Sequence, residues 1–110
     1  MVGAGGGENC GMGILSDDDI RAGLASGWEL IGGSDGGEIR KDFQFDTFPV
    51  AIAFVNLLAD AAEEANHHPD IDIRYNRVLV ALSTHSEGGV TDKDLALAGR
   101  AEDLANAAKE

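Results

Sequence analysis

Apolar residues become regular along the chain after Leu15. Ser16 is followed by Asp17, Asp18 and Asp19, a side-chain acceptor at a cap position with acidic residues in the first turn, where a helix N-terminus favours negative charge. Ile20 and Leu24 then share a face, and Gly27 is placed to end this helix just before Trp28. Residues 28–31 alternate weakly and run into the loop Gly32-Gly33-Ser34-Asp35-Gly36-Gly37. Beyond it Ile39, Lys41, Phe43 and Phe45 alternate with Arg40, Asp42 and Gln44. The pattern predicts a β-hairpin whose second strand is half-buried.

Asp46 or Thr47 can cap the next element, Pro49 suits its first turn, and Val50, Ala51, Phe54, Val55, Leu57, Leu58, Ala61, Ala62 and Ala65 follow at helical spacing. Apolar residues cover more than one face of this helix, which predicts one side on the sheet and a second side available to another subunit. Asn66 and the step His67-His68-Pro69 close it, because the residue before a proline is pushed away from α geometry. Ile71, Ile73 and Tyr75 alternate with Asp72 and Arg74, and Val78, Val80 and Leu82 with Leu79, Ala81 and Ser83. Two further strands are expected, joined near Asn76-Arg77, with Tyr75 packed on the sheet. Ser86-Glu87-Gly88-Gly89 reads as a loop, and Thr91 followed at the third position by Asp94 resembles a capping box for a last helix carrying Leu95, Leu97, Ala98, Ala101 and Leu104.

The order α-β-β-α-β-β-α has no crossover long enough for a parallel sheet. It implies an α+β two-layer domain, a four-stranded, mainly antiparallel sheet with three helices on one face. Either the strand at Trp28–Ile31 or the one at Leu79–Leu82 should end the sheet, and an unprotected edge predicts at least a homodimer. The apolar excess on the long helix offers a second contact surface, so a homodimer or a homotetramer is expected.

With 110 residues the chain has the length of one domain able to bury a core without a disulfide or a structural metal. Residues 1–13 read as a flexible tail and residues 14–110 as the domain. A single cysteine, Cys10, forms no internal bridge, which fits a reducing, cytoplasmic setting. The apolar stretch from Val50 to Ala62 is broken by Asn56 and Asp60 and is too short to cross a bilayer of ~30 Å. The net charge of −12 and pI near 4.4 oppose a phosphate-backbone partner, because nucleic-acid binding rests on Lys and Arg releasing counterions.

All three histidines, His67, His68 and His85, fall between Glu63 and Asp94. Histidine is the side chain that exchanges a proton nearest neutrality, so such a cluster can supply both a donor and an acceptor. A hairpin beginning just after His68 and ending just before His85 brings the two ends of the cluster to one end of the sheet. Glu63 lies one helical turn before His67. Plainer readings exist: His67 and His68 can cap a helix C-terminus, Asp94 can serve as a helix cap alone, and Glu63 can pair with Arg74 or Arg77. Adjacent histidines seldom both reach one ion, so no metal is expected. Trp28 is suited to the core or to the rim of a pocket.

The spacing of Glu63, His67, His68, Pro69, Tyr75, His85 and Asp94 resembles that of the pterin-4a-carbinolamine dehydratases. The likeness extends from about Leu15 to Leu104, through WELI, IRKDFQFDTFPVAIAFVNLLADAAEEANHHPDI and YNRVLVALSTHSEGGVTDKDLALA. The family's fold is the one expected here. The resemblance implies removal of water from a 4a-hydroxytetrahydropterin to give a quinonoid dihydropterin, in tetrahydropterin recycling, with neither metal nor organic cofactor. It further implies His67 and His85 as an acid–base pair, His68 as a substrate-positioning group with Pro69 beside it, and Asp94 and Glu63 orienting imidazoles or substrate. Family members also serve as dimerisation partners of a transcription factor, and relatives without the histidines as assembly chaperones. That makes a protein-interaction module the alternative.

Overall fold

The computed structural model describes residues 13–33 and 35–109. The tail expected over residues 1–13 lies, apart from Gly13, outside the described residues, as does Cys10. Seven elements follow in the expected order: α1 (Asp17–Gly23), β1 (Glu29–Ile31), β2 (Glu38–Gln44), α2 (Phe48–Ala65), β3 (Asp70–Arg74), β4 (Arg77–Leu82) and α3 (Asp92–Lys109). All strand pairs are antiparallel and the sheet order is β1-β2-β4-β3. The three helices cover one face. No helix among the described residues is long and apolar enough to cross a membrane.

The caps form where the sequence put them. Ser16 Oγ accepts from the Asp19 amide at 3.1 Å and Thr47 Oγ1 from the Val50 amide at 3.3 Å, each satisfying an amide that a helix start leaves without a partner. Helix α1 nevertheless stops at Gly23, well before Gly27. The chain turns instead: Trp28 N–H donates to the Ala25 carbonyl, Lys41 Nζ takes the Ser26 carbonyl at 3.0 Å, and Gly27 adopts φ +88°. The helix breaks where Leu24 turns extended, and a tertiary contact from β2 helps close the turn that follows.

The register Ile39↔Leu82, Lys41↔Val80, Phe43↔Val78 and Ile71↔Val80 puts the apolar residues of adjacent strands on the covered face. Strand β4 is central, contrary to the expectation that Leu79–Leu82 could form an edge. Val78, Val80, Ala81 and Leu82 are all buried, and the most apolar strand loses most water contact between two neighbours. The edges are β1 and β3. Tyr75 is also not packed on the sheet. The pairing Arg74↔Arg77 leaves Tyr75 and Asn76 as the hairpin turn, with Tyr75 at φ +55° and 70% exposed.

Helix α2 buries Ala51, Phe54, Leu58, Ala61 and Ala62, an i, i+3, i+7 stripe. Phe54 lies 4.9 Å from Phe43 and 5.2 Å from Phe45, centroid to centroid. Trp28 meets Phe43 edge-on and donates its indole N–H to Glu102 of α3, which also holds Lys41 at 2.6 Å. Trp28 therefore ties α3 to the sheet as a core residue. Replacing Phe54 by Ala should cost about 3–5 kcal/mol in urea unfolding, because this fully buried ring is shared by helix and sheet.

Candidate active site

Helix α2 ends in a left-handed residue, Asn66, at φ 51° and ψ 44°. The Asn66 amide donates to the Glu63 carbonyl and the His67 amide to the Ala62 carbonyl at 3.0 Å, the paired bonds of a Schellman closure. Pro69 then bars further helix. This reversal carries His67 back under the helix end, where it is 9% exposed, and leaves His68 and Glu63 outside.

His67 Nε2 lies 2.5 Å from Asp94 Oδ1. Asp94 is fully buried in the first turn of α3, and its Oδ2 accepts from the Thr91 amide and from Thr84 Oγ1, both at 2.9 Å. The carboxylate half of the capping box read from the sequence is present, with Asp94 accepting from the Thr91 amide, and the same carboxylate also holds an imidazole. Thr84 Oγ1 and Thr91 Oγ1 are 2.7 Å apart, and the Lys93 amide donates to Thr91 Oγ1.

The proton directions follow from the state of Asp94. When it is ionised the carboxylate can only accept, so His67 Nε2, Thr84 O–H and Thr91 N–H each donate to it. With the Thr84 proton committed, Thr91 O–H donates to Thr84. The neutral His67 ring therefore carries its proton on Nε2 and offers the Nδ1 lone pair away from Asp94. Asp94 thereby fixes the orientation of the imidazole that it contacts.

His68 Nε2 and Glu63 Oε1 are 2.5 Å apart and both side chains are exposed. Glu63 therefore does not pair with Arg74 or Arg77, which hold Asp72 and Asp42 respectively. The hydrogen bond and charge of Asp42 raise the Arg77 guanidinium above its ordinary pKa. His85 does not end a strand as expected: β4 stops at Leu82, and His85 sits exposed in a turn closed by Thr84 N–H to the Gly89 carbonyl at 2.8 Å and by Glu87 and Gly88 amides on the Thr84 carbonyl. The chain leaves the sheet there because Thr84 is drawn to Asp94 and Ser83 Oγ to the Gly37 carbonyl.

Asp70 pairs with Ala81, so the His67–Pro69 corner and the Thr84–His85 segment extend from the same end of the β3–β4 hairpin. Tyr75 is at the other end. A pocket of about 170 Å³ lies against His67, lined also by Ala65, Lys93, Ala96, Leu97 and Arg100. Two larger hollows, of about 390 and 410 Å³, lie on the open sheet face around Asp42 and Leu79, with no histidine in their walls.

Thr84 was missed by sequence reasoning, although a signal existed. The inward alternation Val78, Val80, Leu82 continues to Thr84, and a hydroxyl on an inward position needs a partner.

The family model for pterin 4 alpha carbinolamine dehydratase matches residues 14–104. The chain belongs to this family. A Herpetosiphon aurantiacus protein provisionally named pterin-4-alpha-carbinolamine dehydratase is 59% identical over 73 residues, covering 66% of this chain and 72% of the relative. A Chloroflexus aggregans protein of the same provisional name is 48% identical over 95 residues, 84% of this chain and 98% of the relative. Among solved structures, a transcriptional coactivator/pterin dehydratase from Brucella melitensis superposes with a TM-score of 0.78 at 35% identity, covering 84% of this chain and 98% of its own. A pterin dehydratase-like protein identified as a RuBisCO assembly factor in the alpha-carboxysome gives 0.60 at 28% identity, covering 71% and 88%.

Within this dehydratase-family site the two carboxylates differ in what they hold. Asp94→Ala should destabilise the fold by about 1–3 kcal/mol, since it strips a buried acceptor from three donors. Glu63→Ala should leave the urea midpoint close to wild type, because an exposed pair is screened by water. Equal midpoints for the two variants would contradict this view of Asp94.

Proposed function

We propose that the protein dehydrates a 4a-hydroxytetrahydropterin by histidine acid–base catalysis. The observation that carries this reading is the His67–Asp94 pair in a chain of the dehydratase family: an imidazole whose Nε2 lies 2.5 Å from a buried carboxylate, so that its other ring nitrogen can serve proton exchange. The C4a–O bond breaks as its oxygen gains a proton and leaves as water. The proton on N5 goes to a base, and a C4a=N5 double bond forms. One acid and one base complete the reaction, each contributing ~10²–10⁴-fold.

In this assignment His67 and His85 are the acid–base pair, His68 positions the pterin with Glu63 steadying its ring, Pro69 shapes the corner, and Asp94 orients His67. The lone Cys10 fits a cytoplasmic setting for such recycling chemistry. A second reading, a protein-interaction module of the same fold, draws support from the similarity to the RuBisCO assembly factor. Turnover of a 4a-hydroxytetrahydropterin generated in situ separates the two. Absence of any rate above the spontaneous one would leave the interaction module standing.

Under the dehydratase reading, His67→Ala and His85→Ala should each lower kcat, whereas His68→Ala should chiefly raise KM. The double variant should lose less than the product of the singles, because groups acting as a unit fail together. It should also lack the pH dependence of kcat seen in the wild type. Full kcat in both folded single variants would remove the acid–base assignment.

The reading includes self-association. Edge strand β1 and the exposed apolar residues Phe48 and Leu57 on α2 are surfaces that a homodimer or homotetramer would cover. Light scattering at tens of micromolar, about the concentration at which a micromolar interface saturates, should give at least a dimer. A monomer mass would refute it.

A further inference from the structure

Thr84 belongs to no proton-transfer role, yet its atoms reach both halves of the site. Its side chain is 2% exposed, with Oγ1 2.9 Å from Asp94 Oδ2 and 2.7 Å from Thr91 Oγ1. Its backbone closes the turn that bears His85. The amide donates to the Gly89 carbonyl at 2.8 Å, and the carbonyl accepts from the Glu87 and Gly88 amides, both at 2.9 Å.

We propose that Thr84 is a positioning residue coupling the two histidines: its hydroxyl clamps the carboxylate that orients His67, and its backbone anchors the turn that presents His85. This rests on the dehydratase reading for its effect on rate, but not for its effect on the His67 tautomer.

Oδ2 of Asp94 is held on one side by the Thr91 amide, which belongs to the helix start, and on the other by the Thr84 hydroxyl. Without that hydroxyl the carboxylate keeps the Thr91 amide and His67 but loses one of its two donors on Oδ2, so its rotation about the Cβ–Cγ bond is less restrained. Oδ1 then no longer presents a fixed acceptor to Nε2, and the preference for a proton on Nε2 weakens. The hydroxyl is itself aimed, because Thr91 O–H occupies the lone pair that would otherwise admit a different orientation. The same bond fastens the start of the 84–89 turn to α3, so loosening it frees His85 as well. A purely packing role would be met by valine, which fills the same volume with no donor.

Thr84→Val and Thr84→Ser separate these roles. Under the proposal, Thr84→Val lowers kcat by roughly the 10–100-fold that loss of a partner behind a reactive ligand costs, with KM little changed and the pH profile of kcat displaced. Its neutral His67 shows a mixture of ring tautomers by nitrogen-15 NMR, and amide exchange at residues 87–89 quickens. Thr84→Ser restores the rate, the profile and a single Nε2–H tautomer. A folded Thr84→Val with wild-type kcat, pH profile and tautomer overturns the proposal. Should that variant fail to fold, the wild type and Thr84→Ser decide it. A proton on Nδ1 in the wild type, or a Thr84→Ser protein with the Val-like loss, overturns it, and Nε2–H in both upholds it. A wild type that turns over no pterin would sink the dehydratase reading, while the tautomer measurements still decide the role of Thr84.

Discussion

A buried carboxylate has to be surrounded by donors, and at Asp94 that requirement joins three separate parts of the chain. One donor comes from the residue that leaves α2, one from the end of β4 and one from the start of α3. Leaving such a group underbonded in the interior costs more than most single packing defects. The three segments must therefore arrive together. The helix cap, the turn after β4 and the exit of α2 are solutions to one constraint.

The rest of the fold delivers these segments to one place. The β3–β4 hairpin sets the distance along the sheet, since Asp70 opposite Ala81 fixes which residues overhang its end. The Schellman closure at Asn66 turns His67 inward while His68 stays in water. The Trp28–Glu102–Lys41 cluster pins α3 to the sheet just past the helix's middle, so α3 is held at its start and again further along. Adjacent histidines thus acquire opposite environments from a single backbone reversal.

The two histidine–carboxylate pairs show how burial, rather than distance, sets how firmly an imidazole is held. Both are 2.5 Å long. The His67–Asp94 pair lies in a dry, fully bonded network whose proton directions are determined, whereas His68–Glu63 is exposed and competes with water. A fixed tautomer needs the first kind of environment. A side chain that adapts to a bound molecule is better served by the second.

Sequence alone determined the element order, the covered face of the sheet, the caps at Ser16, Thr47 and Thr91, and the emergence of the His67–Pro69 corner and the Thr84–His85 segment from one hairpin end. Those features are local or periodic, and caps, alternation and a two-strand hairpin are written in neighbouring residues. Tertiary structure alone decided the rest. It ended α1 at Gly23, placed β4 in the middle of the sheet, turned Tyr75 out into a hairpin loop, and gave Glu63 to His68. It also gave Asp94 its second partner and Thr84 its use. Each of these depends on which distant groups compete for the same acceptor or the same dry surface, and that competition exists only once the layers have packed.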